Sequence, residues 1–336
     1  MNQLRVGLVG AGVISTVHAA AWRDLDAEVL VFSETGAVSL AERFGFRTVP
    51  SLQELFDSVE IVDVCTPTPT HEEIARRALQ SGADVVCEKP LARTAAAAAR
   101  LIDDARRLGR KIYPGHVVRY FPEYVALRDA VAAGRLGELA VLRFTRGGPA
   151  PAGSWFFDET DSGGLLLDQM IHDLDQARWI AGPVVQVFAS QNPTTLDSRV
   201  RAPVVCHAVL THASGALSFI QGVWGAPGMR FTTSFDVAGS AGRLQYDSAT
   251  TAEIQANLST DASGNSSLPG LVGESPYTAE IREFVSAFAG GADPRVTGND
   301  AVIAIGLAEA ALESVRLGAP VPFDETTLSE LSVVNA

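Results

Sequence analysis

The sequence predicts an α/β protein: a doubly wound parallel sheet, then a second α/β domain built on antiparallel meanders. Three observations predict it. Over residues 1–118, short apolar, β-branched runs alternate with helical stretches, as expected of right-handed βαβ units whose sheet is covered on both faces. Beyond that point the strand candidates lengthen and crowd together, with Gly-containing turns such as Ala213-Ser214-Gly215 between them, the pattern of antiparallel neighbours. A length of 336 residues suits two domains.

The elements follow in order. Leu4–Val9 is the first strand, leading through a Gly-rich turn into the helical Val13–Arg23. Glu28–Phe32 and Val38–Phe44 repeat the unit. Ile61–Cys65 runs into a turn with Pro67 and Pro69 and the helix Glu72–Gln80. Val85–Cys87 leads past Pro90 into the Ala-rich helix Thr94–Leu108, which Gly109 ends, and Lys111–Pro114 is a fifth strand. The second domain, 119–336, opens with a helix at Pro122–Ala133. A further helix spans Leu166–Ile180 and stops at Gly182-Pro183. Its strands are Glu138–Arg146, Val184–Ala189, Val204–Thr211, Ala216–Trp224, Phe231–Val237 and Arg243–Tyr246. Asp261–Gly273, polar and rich in Gly and Ser, predicts an exposed loop. Helices at Pro276–Ala289 and Asn299–Leu317 close the chain, the latter expected to return to the first domain.

Composition narrows the function classes. At 47% hydrophobic and 19% charged residues, the chain can fill two cores, which excludes disordered, collagenous and coiled-coil readings. The net charge of −13 disfavours nucleic acid and anionic membrane surfaces as partners. Residues 1–118 carry 13 basic and 15 acidic side chains, residues 119–336 carry 13 and 24, so the acidity belongs to the second domain. Cys65, Cys87 and Cys206 are too few and too widely spaced for a disulfide framework or a zinc site, and read as buried small residues in a reducing compartment. The apolar run Val6–Ile14 is broken by glycines and lacks a basic leader, so no secretory signal is expected and the cytoplasm is the default. Only two of the 26 basic residues are lysines, Lys89 and Lys111.

Gly10-Ala11-Gly12 sits where the first strand turns into the first helix. In a dinucleotide-binding turn the first glycine makes the bend and the second lets the backbone approach a pyrophosphate. The helix opening at Val13 and Ile14 then offers its N–H groups to the anion. Ser15 replaces the third glycine of that fingerprint. At the end of the second strand, Ser33 stands at the place of the ribose-binding acid and Glu34 follows it. Glu34 would repel a 2′-phosphate, so of NAD or NADP the cofactor expected is NAD.

Glu88-Lys89-Pro90 ends the fourth strand, at the carboxyl edge where open α/β sheets bind ligands. On its own the tripeptide fits a surface ion pair before a Pro-started helix equally well. In Gly163-Gly164-Leu165-Leu166-Leu167-Asp168-Gln169-Met170-Ile171-His172, Asp168 and His172 are i and i+4 on the expected helix, and Asp175 extends their face. Trp155 suits a sugar ring or a core equally. His18 is expected to pack on the first helix, and His207 and His212, of opposite parity on one strand, face opposite ways. No spacing suggests a metal site.

Taken together these motifs resemble the Gfo/Idh/MocA oxidoreductases, the family of glucose–fructose oxidoreductase and inositol dehydrogenase. The resemblance spans nearly the whole chain. It rests on Gly10-Ala11-Gly12 with His18, Thr66-Pro67 with His71, Glu88-Lys89-Pro90, Gly115-His116-Val117-Val118-Arg119-Tyr120-Phe121-Pro122, and Gly163-Gly164 leading into Asp168 and His172. It implies a Rossmann domain followed by a substrate-binding and oligomerisation domain with a large, mainly antiparallel open sheet, often the interface of a dimer or tetramer. It places the catalytic roles on Lys89, Asp168 and His172, with a cis Lys89–Pro90 bond. Thr66, Pro67, His71 and Glu88 would join Gly10, Gly12, Val13, Ile14, Ser33, Glu34 and Lys89 around the cofactor. His116, Arg119 and Trp155 would join Asp168 and His172 around a small polyhydroxylated substrate. The activity implied is hydride transfer between nicotinamide and a secondary hydroxyl or ketone of a sugar, cyclitol or related polyol. Alternatives on the same fold are a dihydrodiol-type carbonyl reductase, glycoside cleavage through transient oxidation, and a non-catalytic dinucleotide-binding regulator.

Overall fold

The structure, a computed structural model, describes residues 3–250, 254–258, 266–268 and 273–331. The chain divides into two compact units: Met1–Tyr120 with Gly273–Val302 and Ser329–Ala336, and Phe121–Val272 with Ile303–Leu328.

The first unit is built on six parallel strands: β1 (Arg5–Val9), β2 (Glu28–Phe32), β3 (Arg47–Thr48), β4 (Ile61–Val64), β5 (Asp84–Glu88) and β6 (Ile112–Gly115). Their order is β3-β2-β1-β4-β5-β6. β1 pairs with β2 on one side (Val6 with Val29) and β4 on the other (Val6 with Ile61), so the strand order reverses at β1, where such sheets open a crevice at their carboxyl ends. Helices α1 (Val13–Asp24), α2 (Ala37–Phe44), α3 (Leu52–Phe56), α4 (His71–Gln80) and α5 (Ala95–Arg107) connect the strands. β3 and α3 are additions to the expected elements. β3 is two exposed residues, too short and polar to leave a period in the sequence.

A later segment completes this unit. Helix α10 (Pro276–Phe288) contributes Ile281, Phe284 and Ala287 to the core that holds Trp22, Val29 and Val86. Tyr113 stacks on Phe284 with ring centroids 5.2 Å apart. Lys111, which had no role by sequence, donates its ammonium to the Ala287 carbonyl near the end of α10, where a cation complements the helix dipole.

The second unit carries a nine-stranded sheet ordered β14-β13-β12-β11-β7-β10-β9-β8-β15. The strands are β7 (Leu139–Pro149), β8 (Val184–Asn192), β9 (Val204–His212), β10 (Leu217–Gly225), β11 (Thr232–Gly239), β12 (Gly242–Asp247), β13 (Ile254–Leu258), β14 (Ser266–Leu268) and β15 (Val321–Pro322). Among the described residues all adjacent pairs are antiparallel except β7 and β10, which run parallel (Phe144 with Ile220). Of the predicted loop Asp261–Gly273, residues 266–268 form β14, while 261–265 and 269–272 lie outside the described residues. The helices of this unit are α6 (Pro122–Ala132), α7 (Glu159–Ser162), α8 (Gly164–Asp168) and α9 (Ile171–Ala181), and α11 (Gly298–Leu317) passes from the first unit into the second at Val302.

The predicted continuous helix Leu166–Ile180 is a correction: the chain breaks between α8 and α9. Gln169 and Met170 both send their N–H to the Leu165 carbonyl, at 3.1 and 3.0 Å, which widens the turn. Tertiary contacts hold it open. The Gln169 amide donates to the carbonyls of Arg146 (3.0 Å) and Val223 (3.4 Å). Met170 lies over Gly222, where an added Cβ would fall 2.4 Å from Met170 Cγ.

Candidate active site

The Gly-rich turn follows β1. Gly10 has φ +115°, and a Cβ there would sit 2.5 Å from the Cys65 carbonyl oxygen, so only glycine fits. Its N–H donates to Phe32 at 2.8 Å, which draws Ser33 and the exposed Glu34 alongside the turn. Gly12 caps α1 and is exposed, with nothing within 4 Å of where its Cβ would be. Val13 is 89% exposed and Ile14 half-buried, and the first turn of α1 carries no acidic residue. An open helix N-terminus without competing negative charge fits a dinucleotide pyrophosphate. Ser15 accounts for the departure from the glycine fingerprint: fully buried, it accepts from the Gly12 N–H (3.2 Å) and donates to the Cys65 carbonyl (3.4 Å). Its hydroxyl thereby joins α1 to the end of β4.

Thr66 and Pro67 follow β4. Thr70 donates to the Thr66 hydroxyl at 2.7 Å. His71 begins α4 and is buried, its Nδ1 2.8 Å from the Pro90 carbonyl and its Nε2 2.7 Å from the Thr66 carbonyl. Burial lowers its pKa against the pull of those two carbonyls, and the ring sits between two loops of the carboxyl edge.

Glu88-Lys89-Pro90 lies at the end of β5, and the Lys89–Pro90 bond is cis, as the resemblance implied. From Val85 to Ala92 every residue is buried except Lys89. The Glu88 carboxylate accepts the Lys89 backbone N–H at 2.9 Å. Burial pushes the Glu88 carboxyl up, but hydrogen bonding and charge from His18, with Lys89 nearby, bring it below the ordinary value.

The second unit shows the same selective exposure. From Leu165 to Ala177 every residue is buried except Asp168, Gln169 and His172. Gln169 is tied to the sheet backbone, and Asp168 and His172 are the two titratable residues of this stretch that are partly accessible. Asp175 is buried and does not extend their face. Beneath them Arg146 grips Asp173 through two hydrogen bonds of 2.8 and 3.0 Å. Burial opposes the Arg146 charge, but the Asp173 carboxylate outweighs it and raises its pKa. This pair was not anticipated from the sequence. Trp155, on the turn Ser154–Phe157, is half-buried and stacked on Phe156.

Two expected substrate residues have other surroundings. Arg119 is buried, donates to the Arg295 carbonyl at 2.7 Å and pairs with Asp300 at 3.1 Å. That anchors the segment after β6 inside the first unit. His116 is likewise buried in that segment. Sequence reasoning passed over Asp63 and Gln169, and gave His18 only a packing place on the first helix. Asp63, an acid in the middle of the apolar run Ile61-Val62-Asp63-Val64, was the available signal, since a buried carboxylate requires partners. Cys65, Cys87 and Cys206 are all buried and unbridged.

A dinucleotide turn, a partly accessible lysine at the sheet's carboxyl edge and an Asp–His corner in the unit of the large second sheet define a class of nicotinamide-dependent oxidoreductases. Comparison with known proteins agrees. Residues 4–116 match the oxidoreductase family with an NAD-binding Rossmann fold, and residues 124–245 match the GFO/IDH/MocA C-terminal domain. The chain is 30% identical over 336 residues to inositol 2-dehydrogenase of Rhizobium meliloti, covering 93% of this chain and 97% of that one. It is 29% identical over 341 residues to myo-inositol 2-dehydrogenase of Thermotoga maritima, covering 96% and 99%. A crystal structure of GenD2 from gentamicin A biosynthesis, in complex with NAD, superposes with a TM-score of 0.83 at 26% identity, covering 96% and 97%. The chain belongs to the GFO/IDH/MocA family of oxidoreductases. No helix among the described residues is long and apolar enough to cross a membrane.

Proposed function

We propose that this protein interconverts a secondary hydroxyl and the corresponding ketone on a cyclitol, sugar or related polyol, using NAD in preference to NADP, in the cytoplasm. The observation that carries the reading is that Lys89, Asp168 and His172 are partly accessible in segments whose other residues, Gln169 apart, are buried. The names of the relatives, inositol dehydrogenases above all, support the substrate class.

When bound, NAD supplies the acceptor or donor of the hydride. Gly10, Gly12, Val13 and Ile14 would hold its pyrophosphate, Ser33 and Glu34 its adenosine ribose, with Thr66, Pro67, His71 and Glu88 shaping the carboxyl edge. His172 takes the hydroxyl proton during oxidation and returns it during reduction, a role to which an imidazole is suited. Lys89 donates a hydrogen bond to the same oxygen, and its ammonium stabilises the negative charge that develops there. Asp168 accepts from a substrate hydroxyl and orients the polyol. Glu34, exposed beside Ser33, disfavours a 2′-phosphate by like-charge repulsion.

Lys89→Arg and His172→Ala are each expected to lower kcat by about 10²–10⁴-fold with NAD affinity retained, because arginine keeps the charge but not the proton chemistry or shape. A panel of inositols and sugars followed by absorbance of the reduced cofactor supplies the measurement. Near-normal turnover in either variant overturns the assignment, and tight NAD binding without turnover on any polyol favours a regulator. We further propose a homo-oligomer formed through the open face of the second sheet, where Val185, Phe188, Leu217 and Phe219 are 37–45% exposed.

A further inference from the structure

Behind the carboxyl ends of β4 and β5 lies a cluster of buried ionisable groups that the reaction just described does not use. His18, on α1, is fully buried. Its Nδ1 is 2.8 Å from Asp63 Oδ2 and its Nε2 is 3.1 Å from Glu88 Oε1. Asp63 Oδ2 also accepts from Trp22 Nε1 at 2.6 Å, and Oδ1 accepts from the Cys65 thiol at 3.4 Å. The remaining Glu88 oxygen, Oε2, accepts the Lys89 backbone N–H at 2.9 Å. An unbroken path of hydrogen bonds therefore runs from Trp22 through Asp63, His18 and Glu88 to the peptide of Lys89.

The donor count decides the protonation state. A neutral imidazole has one N–H and one lone pair, so one of the two carboxylates would face a lone pair in a dry interior. An imidazolium donates to both. Burial works against the charge, but the Asp63 carboxylate and the hydrogen bond to it outweigh that, leaving the His18 pKa well above the ordinary value. The other faces of the cluster are consistent. From α10, Tyr277 packs on the His18 ring with centroids 5.8 Å apart. Glu280 is fully buried with no hydrogen bond to its carboxyl oxygens among the described residues. Burial, with Glu88 and Asp63 close by, pushes its pKa well above the ordinary value, toward the neutral carboxyl. The Cys65 thiol is likewise held neutral by burial and Asp63. The charges in the cluster are thus one cation and two anions, with Lys89 at its open end.

We propose that His18 is a positioning residue for Lys89: as an imidazolium bridging Asp63 and Glu88, it holds the Glu88 carboxylate turned so that its second oxygen fixes the Lys89 peptide. His71 grips the following peptide from the other side through the Pro90 carbonyl, so the backbone carrying the ammonium is held on both flanks. The proposal rests on the assignment of Lys89 to the reaction.

The test uses the full-length protein. Nitrogen-15 NMR of labelled histidine, with His18→Gln identifying the signal, is expected to show both His18 ring nitrogens protonated at pH 8. In kinetics His18→Gln lowers kcat roughly 10- to 100-fold, the scale of a misplaced reacting group, with NAD affinity unchanged. It also moves the alkaline limb of the kcat profile to higher pH, because a positive charge has left the neighbourhood of the ammonium. Glu88→Gln, which removes a negative charge, moves that limb to lower pH. A merely structural role would lower activity without opposite displacements. A neutral His18 ring at pH 8, or superimposable pH profiles, overturns the proposal, and the spectrum of the parent decides it even where a variant does not fold. Near-normal turnover of Lys89→Arg beside a protonated His18 ring overturns instead the Lys89 assignment.

Discussion

The two sheets of this protein treat their strands differently. In the first, β1, β4, β5 and β6 are buried along almost their whole length. In the second, β8 and β10 alternate buried and accessible residues. A parallel sheet covered on both faces has no outward positions, whereas a mixed sheet covered on one face has one every second residue. The difference shows in where polar chemistry can stand. The first sheet admits Asp63 and Glu88 where His18 hydrogen-bonds to both. Its accessible chemistry, Lys89, appears where β5 ends. The second sheet keeps its inner face for α8 and α9 and leaves Val185, Phe188, Leu217 and Phe219 on the other.

The contrast can be broken most sharply at β1. Leu8 is fully buried in the central strand, and Leu8→Ala is expected to cost about 2–5 kcal/mol through lost transfer energy and a cavity, read from the denaturant midpoint. Glu280→Gln sharpens the comparison within the first unit. The raised pKa of Glu280 means that the folded state holds a proton the unfolded chain releases above its ordinary carboxyl value. Folding is therefore penalised increasingly as pH rises from that value toward the folded one. The glutamine variant escapes the penalty, so its Tm should exceed that of the parent by more at pH 8 than at pH 5. Equal shifts at both pH values would show that Glu280 is ionised in the fold. The smallest effect is expected on the open face. Phe219→Ser should change monomer stability by no more than about 0.5 kcal/mol while shifting the size measured by light scattering toward the monomer, if that face joins copies of the chain.

Much of this molecule could be read from local pattern. Gly10 was legible because a tight bend demands a residue without Cβ, and Lys89 because a scarce residue stood at the end of a strand. Asp168 and His172 were legible as a pair, but their helix was not. The break between α8 and α9 depends on the Gln169 amide reaching the carbonyls of Arg146 and Val223 and on Met170 finding Gly222 beneath it. The burial of Arg119, its hydrogen bond to the Arg295 carbonyl and its pairing with Asp300 were not legible, because an exposed and a buried arginine look alike in sequence.

The sequence by itself determined the alternation of the main strands and helices and the place of the dinucleotide turn, and it singled out the side chains proposed to react. Each depends on a period of two or 3.6 residues, on a glycine, or on a residue type with one suitable chemistry. Tertiary structure alone decided the partners. His18 meets Asp63 and Glu88 across 45 and 70 residues, and α10 joins the first core from beyond residue 270. Such choices arise because buried polar groups must find partners wherever the fold brings them, and no local period records that need.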